Sequence, residues 1–268
     1  MRELDRLSKI TSADLESAIS ENDVFFEGMT SISALINSYS KSISDRKIKL
    51  VLVDKTKTKS KSREISFLQS ASVKYGFKIF TCSPETISLR TTGTTHGGII
   101  ALCTQRTIPF ITADAVTDDG FYVYLEGIED PYNFGYSVRS LYAAGVDGII
   151  LSERNWMHVA GIVARSSAGA SELVPMYYID TENLSDMFHA KGYKIVTAAI
   201  RNSVSIYDAD LKRPILLIVG GEKRGVSRQL LDASDINVRI EYANAFRGSL
   251  PTVSAVSVLA FEIYKQNK

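Results

Sequence analysis

The chain has 268 residues, 45% of them hydrophobic, and a formal net charge of +1, which is enough apolar material for one large or two ordinary globular domains. No apolar run approaches the roughly 18 residues of a membrane span, and the opening M-R-E-L-D-R-L-S-K-I lacks the apolar core of a signal peptide, so a cytoplasmic protein is expected. Two cysteines without CxxC spacing and three scattered histidines predict reduced thiols and no metal.

Charge is unevenly spread. Residues 1–113 carry 16 Lys+Arg against 11 Asp+Glu, and residues 114–268 carry 15 against 19. A basic half joined to an acidic half is compatible with a polyanion-binding module attached to a catalytic or small-molecule module. In the first half, Ser12 with Asp14 and Glu16 reads as a capped helix start. Gly28 marks a turn before Ile32, Leu35 and Ile36 at helical spacing. Lys49–Val53 reads as a strand, Ile65–Tyr75 as a helix, and Phe77–Phe80 and Ile99–Cys103 as further strands, an alternation typical of α/β folds.

Two loops in this half stand out. Asp54–Arg63, D-K-T-K-T-K-S-K-S-R, places a cation at almost every second position. Such a loop is expected to be exposed and mobile, either as plain solvated surface or as a contact to a phosphate backbone through Lys55, Lys57, Lys59, Lys61 and Arg63. Thr91–Gly98, T-T-G-T-T-H-G-G, has the small residues of a binding loop, although a lone His96 is more commonly structural than catalytic. The stretch Ile108–Gly120 breaks the periodicity with proline, acids and glycine and is expected to join two domains, 1–113 and 114–268.

The second half opens with a strand, Phe121–Leu125, and then E-G-I-E-D-P-Y-N-F-G-Y-S-V-R from Glu126. Pro131 and Gly135 shape a turn holding Asn133, and Arg139 is placed in the first turns of the following helix. A cation beside a helix N-terminus adds to the dipole's positive end, so Arg139 reads as half of an ion pair or as part of an anion site. Gly148–Leu151 is a strand. A polar loop with Trp156 follows, then a helix through Val159–Ala164. The small residues Ser166–Ser171 fit close packing. Lys194–Ile200 is a strand after a helix near Met187.

Ile215–Val219 is an unbroken apolar run, read as a strand buried on both faces, and it ends in Gly220-Gly221-Glu222. Adjacent glycines at a strand's carboxyl end let backbone approach a ligand, and Glu222 brings a carboxylate to the rim where α/β folds bind their ligands. The chain closes with a strand at Val238–Tyr242, a loop with Arg247, and a helix to Tyr264 for which Ser249 is the expected cap.

Taken together, D-P-Y-N-F-G-Y-S-V-R (Asp130–Arg139), S-S-A-G-A-S-E-L-V-P (Ser166–Pro175), I-V-G-G-E-K-R-G-V-S (Ile218–Ser227) and S-L-P-T-V-S-A (Ser249–Ala255) resemble the SpoU (TrmH-like) RNA ribose 2′-O-methyltransferases of the SPOUT superfamily. The resemblance covers about residues 121–264. A looser one, through T-H-G-G-I-I-A-L at Thr95–Leu102, links the first half to the family's L30e-like substrate-binding domain.

The resemblance implies an α/β fold with a deep trefoil knot in the second domain and a homodimer with sites completed across its interface. It implies S-adenosylmethionine held by Gly220, Gly221, Glu222, Ile240, Ser249 and Leu250, and RNA, rRNA before tRNA, as the methyl acceptor. Arg139 would act at the target ribose and phosphate, Asn133 would order the motif, and Glu222 would fix the site through hydrogen bonds. The Lys55–Arg63 cations and His96 would meet RNA. Where the family has S-L-N, this chain has Ser249-Leu250-Pro251, a departure that keeps a catalytically silent RNA-binding relative as the alternative. A generic nucleotide-binding α/β protein would account for the glycine turn alone.

Overall fold

The computed structural model describes residues 7–152, 159–245 and 248–268; Trp156 and Arg247 lie outside the described residues. In chain order the first elements are β1 (Ser8–Lys9), α1 (Ser12–Ala18), β2 (Val24–Glu27), α2 (Gly28–Tyr39), β3 (Ile48–Asp54), α3 (Ser62–Tyr75), β4 (Lys78–Cys82), α4 (Pro84–Ser88) and β5 (Ile99–Cys103). Then follow β6 (Phe121–Glu126), α5 (Pro131–Ala143), β7 (Gly148–Leu151), α6 (Ala160–Ser166), β8 (Met176–Tyr178), α7 (Leu184–Ala190) and β9 (Lys194–Ala198). The last are β10 (Val204–Ser205), β11 (Ile215–Gly220), α8 (Arg228–Asp232), β12 (Ile236–Arg239) and α9 (Thr252–Gln266). They form two compact units: Met1–Thr107 with Trp156–Leu173, and Ile108–Asn155 with Val174–Lys268.

Unit 1 is built on a mixed sheet in the order β1-β4-β3-β5-β2. Strand β3 runs parallel to β4 and antiparallel to β5. Its run I-K-L-V-L-V-D alternates between two apolar layers. Val51 and Val53 pack with Ile32, Leu35, Ile65 and Leu68, while Leu50 and Leu52 pack with Leu15, Ile87 and Leu102. A strand buried on both faces has no polar side, which is why it reads as a continuous apolar run. Helix α1 is capped by Thr11 rather than Ser12: the Thr11 hydroxyl accepts the Asp14 N–H at 3.1 Å. Strand β2, read from sequence only as the approach to a turn, is antiparallel to β5. Cys82 and Cys103 are both buried and free; burial, and behind it the Asp54 carboxylate, pushes the Cys82 thiol up to about 11.

The contiguous division expected at 113/114 is replaced by an interleaved one. Ile108–Gly120 belongs to unit 2, where Ile111 and Val116 are buried in the core. Residues 159–173 instead return to unit 1, and their small side chains explain why. A β-carbon on Gly161 would stand 2.2 Å from the Phe25 carbonyl oxygen, so α6 rests directly on the backbone of β2. Gly169, at φ +84, is pressed against Ala34, with only 2.4 Å available to an added β-carbon. The return is fastened by ions: Glu172 Oε2 accepts from Ser44 Oγ at 3.0 Å and from Arg46 Nε at 3.2 Å, with both charged side chains 3% exposed. The Arg46 guanidinium also donates to the Thr104 carbonyl at 2.7 Å and lies over the Phe26 ring.

Unit 2 is a seven-stranded sheet in the order β10-β12-β9-β11-β6-β7-β8, parallel throughout. One face carries Tyr122, Tyr124, Ile150, Ile195, Leu216 and Ile218 against Leu184, Phe188 and Leu230. Tyr122, Phe188 and Tyr193 meet there edge to face, their ring centroids 5.1–5.9 Å apart. Strand β11, late in the chain, is inserted between β9 and β6.

Removing the Glu172 carboxylate by Glu172→Ala strands Arg46 in the interior of unit 1, an expected cost of about 3–5 kcal/mol. A lower urea midpoint at unchanged slope is the measurement. The double replacement Arg46→Met, Glu172→Leu should recover most of the loss.

Candidate functional site

Parallel pairing of β6 with β11 sets the site. The two run in register from Phe121 opposite Ile215 to Glu126 opposite Gly220, so the loops that leave their carboxyl ends start side by side, where parallel α/β sheets place their ligands. The loop after β11 is folded on itself. Gly221 N–H donates to the Glu126 carbonyl at 2.6 Å, Gly225 N–H donates to the Gly221 carbonyl at 3.1 Å, and Gly221 and Gly225 form an antiparallel bridge.

The glycines serve this turn first. A β-carbon on Gly220 would lie 2.1 Å from the Gly225 carbonyl carbon, and one on Gly221 would lie 2.2 Å from the Gly127 oxygen. Their necessity was expected from close approach to a ligand; the contact that demands them is backbone on backbone within the protein.

Helix α5 starts at the facing loop. Pro131 occupies its first turn and Asp130 caps it, accepting the Asn133 N–H at 2.8 Å. That cap aims the Asn133 side chain across the gap, where Nδ2 donates to Glu222 Oε1 at 2.8 Å. Two sequence-predicted residues thus meet directly. Three contacts beside them were not foreseen: Glu126 Oε2 accepts the Ser227 N–H at 2.8 Å, Lys223 Nζ pairs with Glu129 at 2.6 Å, and the Thr252 hydroxyl donates to the Gly220 carbonyl at 3.4 Å. An acidic residue ending a strand beside a glycine turn was the only available signal, at Glu126.

The third segment arrives from β12 and α9. Strand β12 stops at Arg239, not Tyr242, so half-buried Ile240 lies beyond it. The Leu250 N–H donates to the Tyr242 hydroxyl at 3.1 Å, closing the loop between them. Ser249 is exposed and caps nothing: α9 begins at Thr252 with Pro251 in the cap position and no side-chain capping bond. Helix α9 packs on α5, joined by Ser257 Oγ donating to Ser140 Oγ at 2.7 Å.

Arg139 is not where the sequence placed it. It lies in the third turn of α5, too far along for a helix-terminus interaction, and about 9 Å along the axis from Asn133 at 1.5 Å per residue. It is exposed, and its face of the helix also shows Tyr132 and Tyr136.

The remaining predicted residues are in unit 1. The lysine loop, expected to be exposed, is also internally hydrogen-bonded. Asp54 Oδ1 accepts from Thr56 N and Oγ1 at 2.8 and 2.7 Å, successive backbone bonds run from Lys57 to Asp54 and from Lys61 to Lys57, and Lys61 pairs with Glu64 at 2.7 Å. Lys55, Lys59 and Arg63 remain exposed, and Lys57 and Lys61 are half-buried. His96 is half-buried, its Nδ1 accepting the Gly98 N–H at 3.0 Å. No cluster among the described residues could hold a metal ion, and no helix among them is long and apolar enough to cross a membrane.

Residues 120–261 match the model of the SpoU rRNA Methylase family, a span that contains every segment of the site just described. The chain belongs to that family. A 23S rRNA (guanosine-2′-O-)-methyltransferase, RlmB, of Shewanella oneidensis is 30% identical over 202 residues, which is 72% of this chain and 80% of the relative. A putative TrmH family tRNA/rRNA methyltransferase of Staphylococcus haemolyticus is also 30% identical, over 54% of this chain and 58% of its own length. Among solved structures, the AdoMet-bound rRNA methyltransferase of Sinorhizobium meliloti aligns over 95% of this chain and 90% of its own, with a TM-score of 0.73 and 21% identity. The SpoU methyltransferase AviRb of Streptomyces viridochromogenes, in complex with AdoMet, aligns over 98% and 96% with a TM-score of 0.71 and 19% identity. These two likenesses show that an α/β fold is shared over nearly the whole of this chain.

Glu126→Ala releases the Ser227 N–H and should speed its amide exchange about fivefold, as the loss of roughly 1 kcal/mol requires. Glu126→Gln keeps an acceptor oxygen and should leave the exchange rate close to that of the parent protein.

Proposed function

We propose that the protein transfers a methyl group from S-adenosylmethionine to the 2′-hydroxyl of a ribose in structured RNA, with rRNA the favoured substrate. The observation that carries this reading is the Asn133–Glu222 hydrogen bond, which joins the two family segments that chemistry at this site needs. The S. oneidensis relative, a 23S rRNA (guanosine-2′-O-)-methyltransferase by name, supports the reaction and the preference for rRNA.

The residues present suit the cofactor. Half-buried Ile240 and Leu250 offer aliphatic surface for a flat base, and the Ser249 hydroxyl with the backbone of Gly220–Glu222 offers hydrogen-bonding groups. S-Adenosylmethionine supplies an electrophilic methyl group on a sulfonium. The chain's own share is placement and proton handling. Asn133 and Glu126 keep the Gly220–Ser227 loop fixed on the ends of β6 and β11, Glu222 presents its remaining carboxylate capacity to the site, and the Arg139 guanidinium holds the phosphate and ribose of the target and assists loss of the hydroxyl proton. Pro251 offers neither a side-chain amide nor an N–H. The Thr252 hydroxyl, donating to Gly220, supplies a polar link one residue later, which favours an active enzyme over the silent alternative.

Arg139 reaches a site most simply in a homodimer. Helix α5 exposes Tyr132, Tyr136 and Tyr142 around it, and α9 beside it exposes Phe261 and Tyr264, an aromatic surface of the kind that obligate interfaces cover. We assign the second copy to this face, each protomer lending Arg139 to the other's site. Insertion of β11 between β9 and β6 is compatible with the trefoil knot of the SPOUT superfamily. We assign unit 1 to holding the RNA, in a cytoplasmic enzyme, with Lys55, Lys57, Lys59, Lys61, Arg63 and His96 as its contacts.

Calorimetric titration with S-adenosylmethionine should show binding by the parent protein and by Arg139→Ala within about twofold of each other, while methyl transfer to 23S rRNA falls by about 10²–10⁴ in the variant. Failure of the parent protein to bind the cofactor, with or without RNA, sinks the reading. Replacing Lys55, Lys57, Lys59 and Lys61 by alanine should flatten the slope of log affinity for RNA against log salt by up to about 3.6, since each phosphate that a lysine neutralises adds about 0.9 to it. An unchanged slope returns the loop to solvated surface.

A further inference from the structure

Unit 1 has an open cavity of about 330 Å³ that methyl transfer at the β6–β11 site does not use. Residues from four separate stretches of the chain line it, among them Met29, Thr30, Lys61, His96, Ile99 and Arg165. Lys61 and His96, drawn from the lysine loop and the T-H-G-G loop, therefore meet at one place.

The electrostatics of the lining favour an anion. Its carboxylate, Glu27, is buried and already committed: Oε2 accepts from Arg165 Nη1 at 2.8 Å, and Oε1 accepts from Thr92 N and Oγ1 at 2.8 and 3.1 Å. Lys61 adds a cation whose side chain is about a third exposed, its partner Glu64 lying outside the cavity lining. Because His96 Nδ1 accepts the Gly98 N–H, the neutral ring carries its proton on Nε2 and is a donor. The 12-residue helix α2 also begins here, with Glu27 in the cap position but making no side-chain capping bond and with no acidic residue in the first turn, so the helix's positive end faces the lining, reduced by the Glu27 carboxylate. Half-buried Met29 contributes apolar surface. The space exceeds what a bare phosphate fills and suits a whole nucleotide.

We propose that this cavity seats one nucleotide of a single-stranded stretch of RNA, its phosphate among Lys61, His96 and the start of α2, and its base over Met29. The proposal rests on the reading of RNA as substrate and deepens it: unit 1 holds a particular unstacked nucleotide in addition to the general charge of the backbone. RNA recognition by proteins favours such splayed-out bases in loops and bulges.

The test uses the full isotope-labelled chain, following the amides of Met29, Thr30 and His96 by NMR during titration with adenosine 5′-monophosphate, uridine 5′-monophosphate, adenosine, inorganic phosphate and a single-stranded RNA hexamer. The nucleotides are expected to shift these amides in a saturable way, with phosphate alone and adenosine alone each needing at least tenfold higher concentration. The hexamer should saturate them below the mononucleotide concentration. Lys61→Ala should weaken mononucleotide binding about tenfold, and Lys61→Arg should restore it, while the unperturbed remainder of each spectrum reports that the variants are folded. Hexamer binding that leaves these amides in place overturns the proposal, as does a mononucleotide that binds more tightly than the hexamer. Methyl acceptance by 23S rRNA is assayed on the same preparation. Methyl transfer with an unresponsive cavity removes this inference alone, and a responsive cavity without cofactor binding or methyl transfer removes the proposed reaction alone.

Discussion

The arrangement of unit 2 depends on the backbone ladder between β6 and β11. Both strands are almost wholly buried, Ile215–Ile218 and Phe121–Leu125 being at most 2% exposed, so every backbone polar group along them must find its partner in the neighbouring strand. The apolar side chains packed on both faces select the register, and the register decides that Glu126 stands opposite Gly220. Everything at the site follows from this pair. The Glu126 carbonyl and carboxylate each take an N–H from the β11 loop, at Gly221 and Ser227, and the loop between them is left with Glu222 facing Asn133. A slip of one residue would reverse which side chains face each layer of the core, and the hydrogen bonds at the site would break with it.

Small residues do two separate jobs. At Gly220 and Gly221 they permit a turn to close on its own backbone. At Gly161 and Gly169 they permit a helix and a tight turn to lie on β2 and α2 of unit 1. The second job has an electrostatic counterpart, since Glu172 completes a buried cluster with Ser44 and Arg46. Packing and ion pairing therefore act together to hold residues 159–173 in unit 1, and Arg165, carried on the same stretch, neutralises Glu27 beneath the cavity. The cluster's contribution is specificity of placement more than net stability, because two desolvated charges regain only what good geometry returns.

The two units also differ in where exposed cations and exposed aromatic rings gather. The lysine loop gives unit 1 a run of cations, whereas unit 2 displays aromatic rings on α5 and α9 around Arg139. The proposed roles of holding RNA and of self-association would need these different surfaces: the first must stay hydrated until phosphates displace its counterions, and the second is stabilised by leaving water.

The strands at Lys49–Val53, Ile99–Cys103, Phe121–Leu125 and Ile215–Val219 were legible in the sequence because doubly buried strands are continuous apolar runs, and the motif residues Asn133 and Glu222 were legible because their neighbours carry a recognisable pattern. Helix α5 was readable from Pro131 and its apolar spacing, but its exact start was not, and Arg139 was placed a full turn or more too early. The cap of α9 was misread because Ser249 has the right side chain in a loop that ends two residues later. Strand β2 escaped notice because four residues before a glycine carry too little periodicity to separate strand from turn. Local chemistry thus determined which segments are strands, which turns need glycine, and which residues could do chemistry. Only the tertiary structure decided that β11 enters between β9 and β6, that Glu126 clamps the β11 loop, that residues 159–173 belong to unit 1, and that Lys61 and His96 share one cavity. Each of these is a contact between residues far apart in the chain, whose energy depends on burial and hydrogen-bond geometry that no local period records.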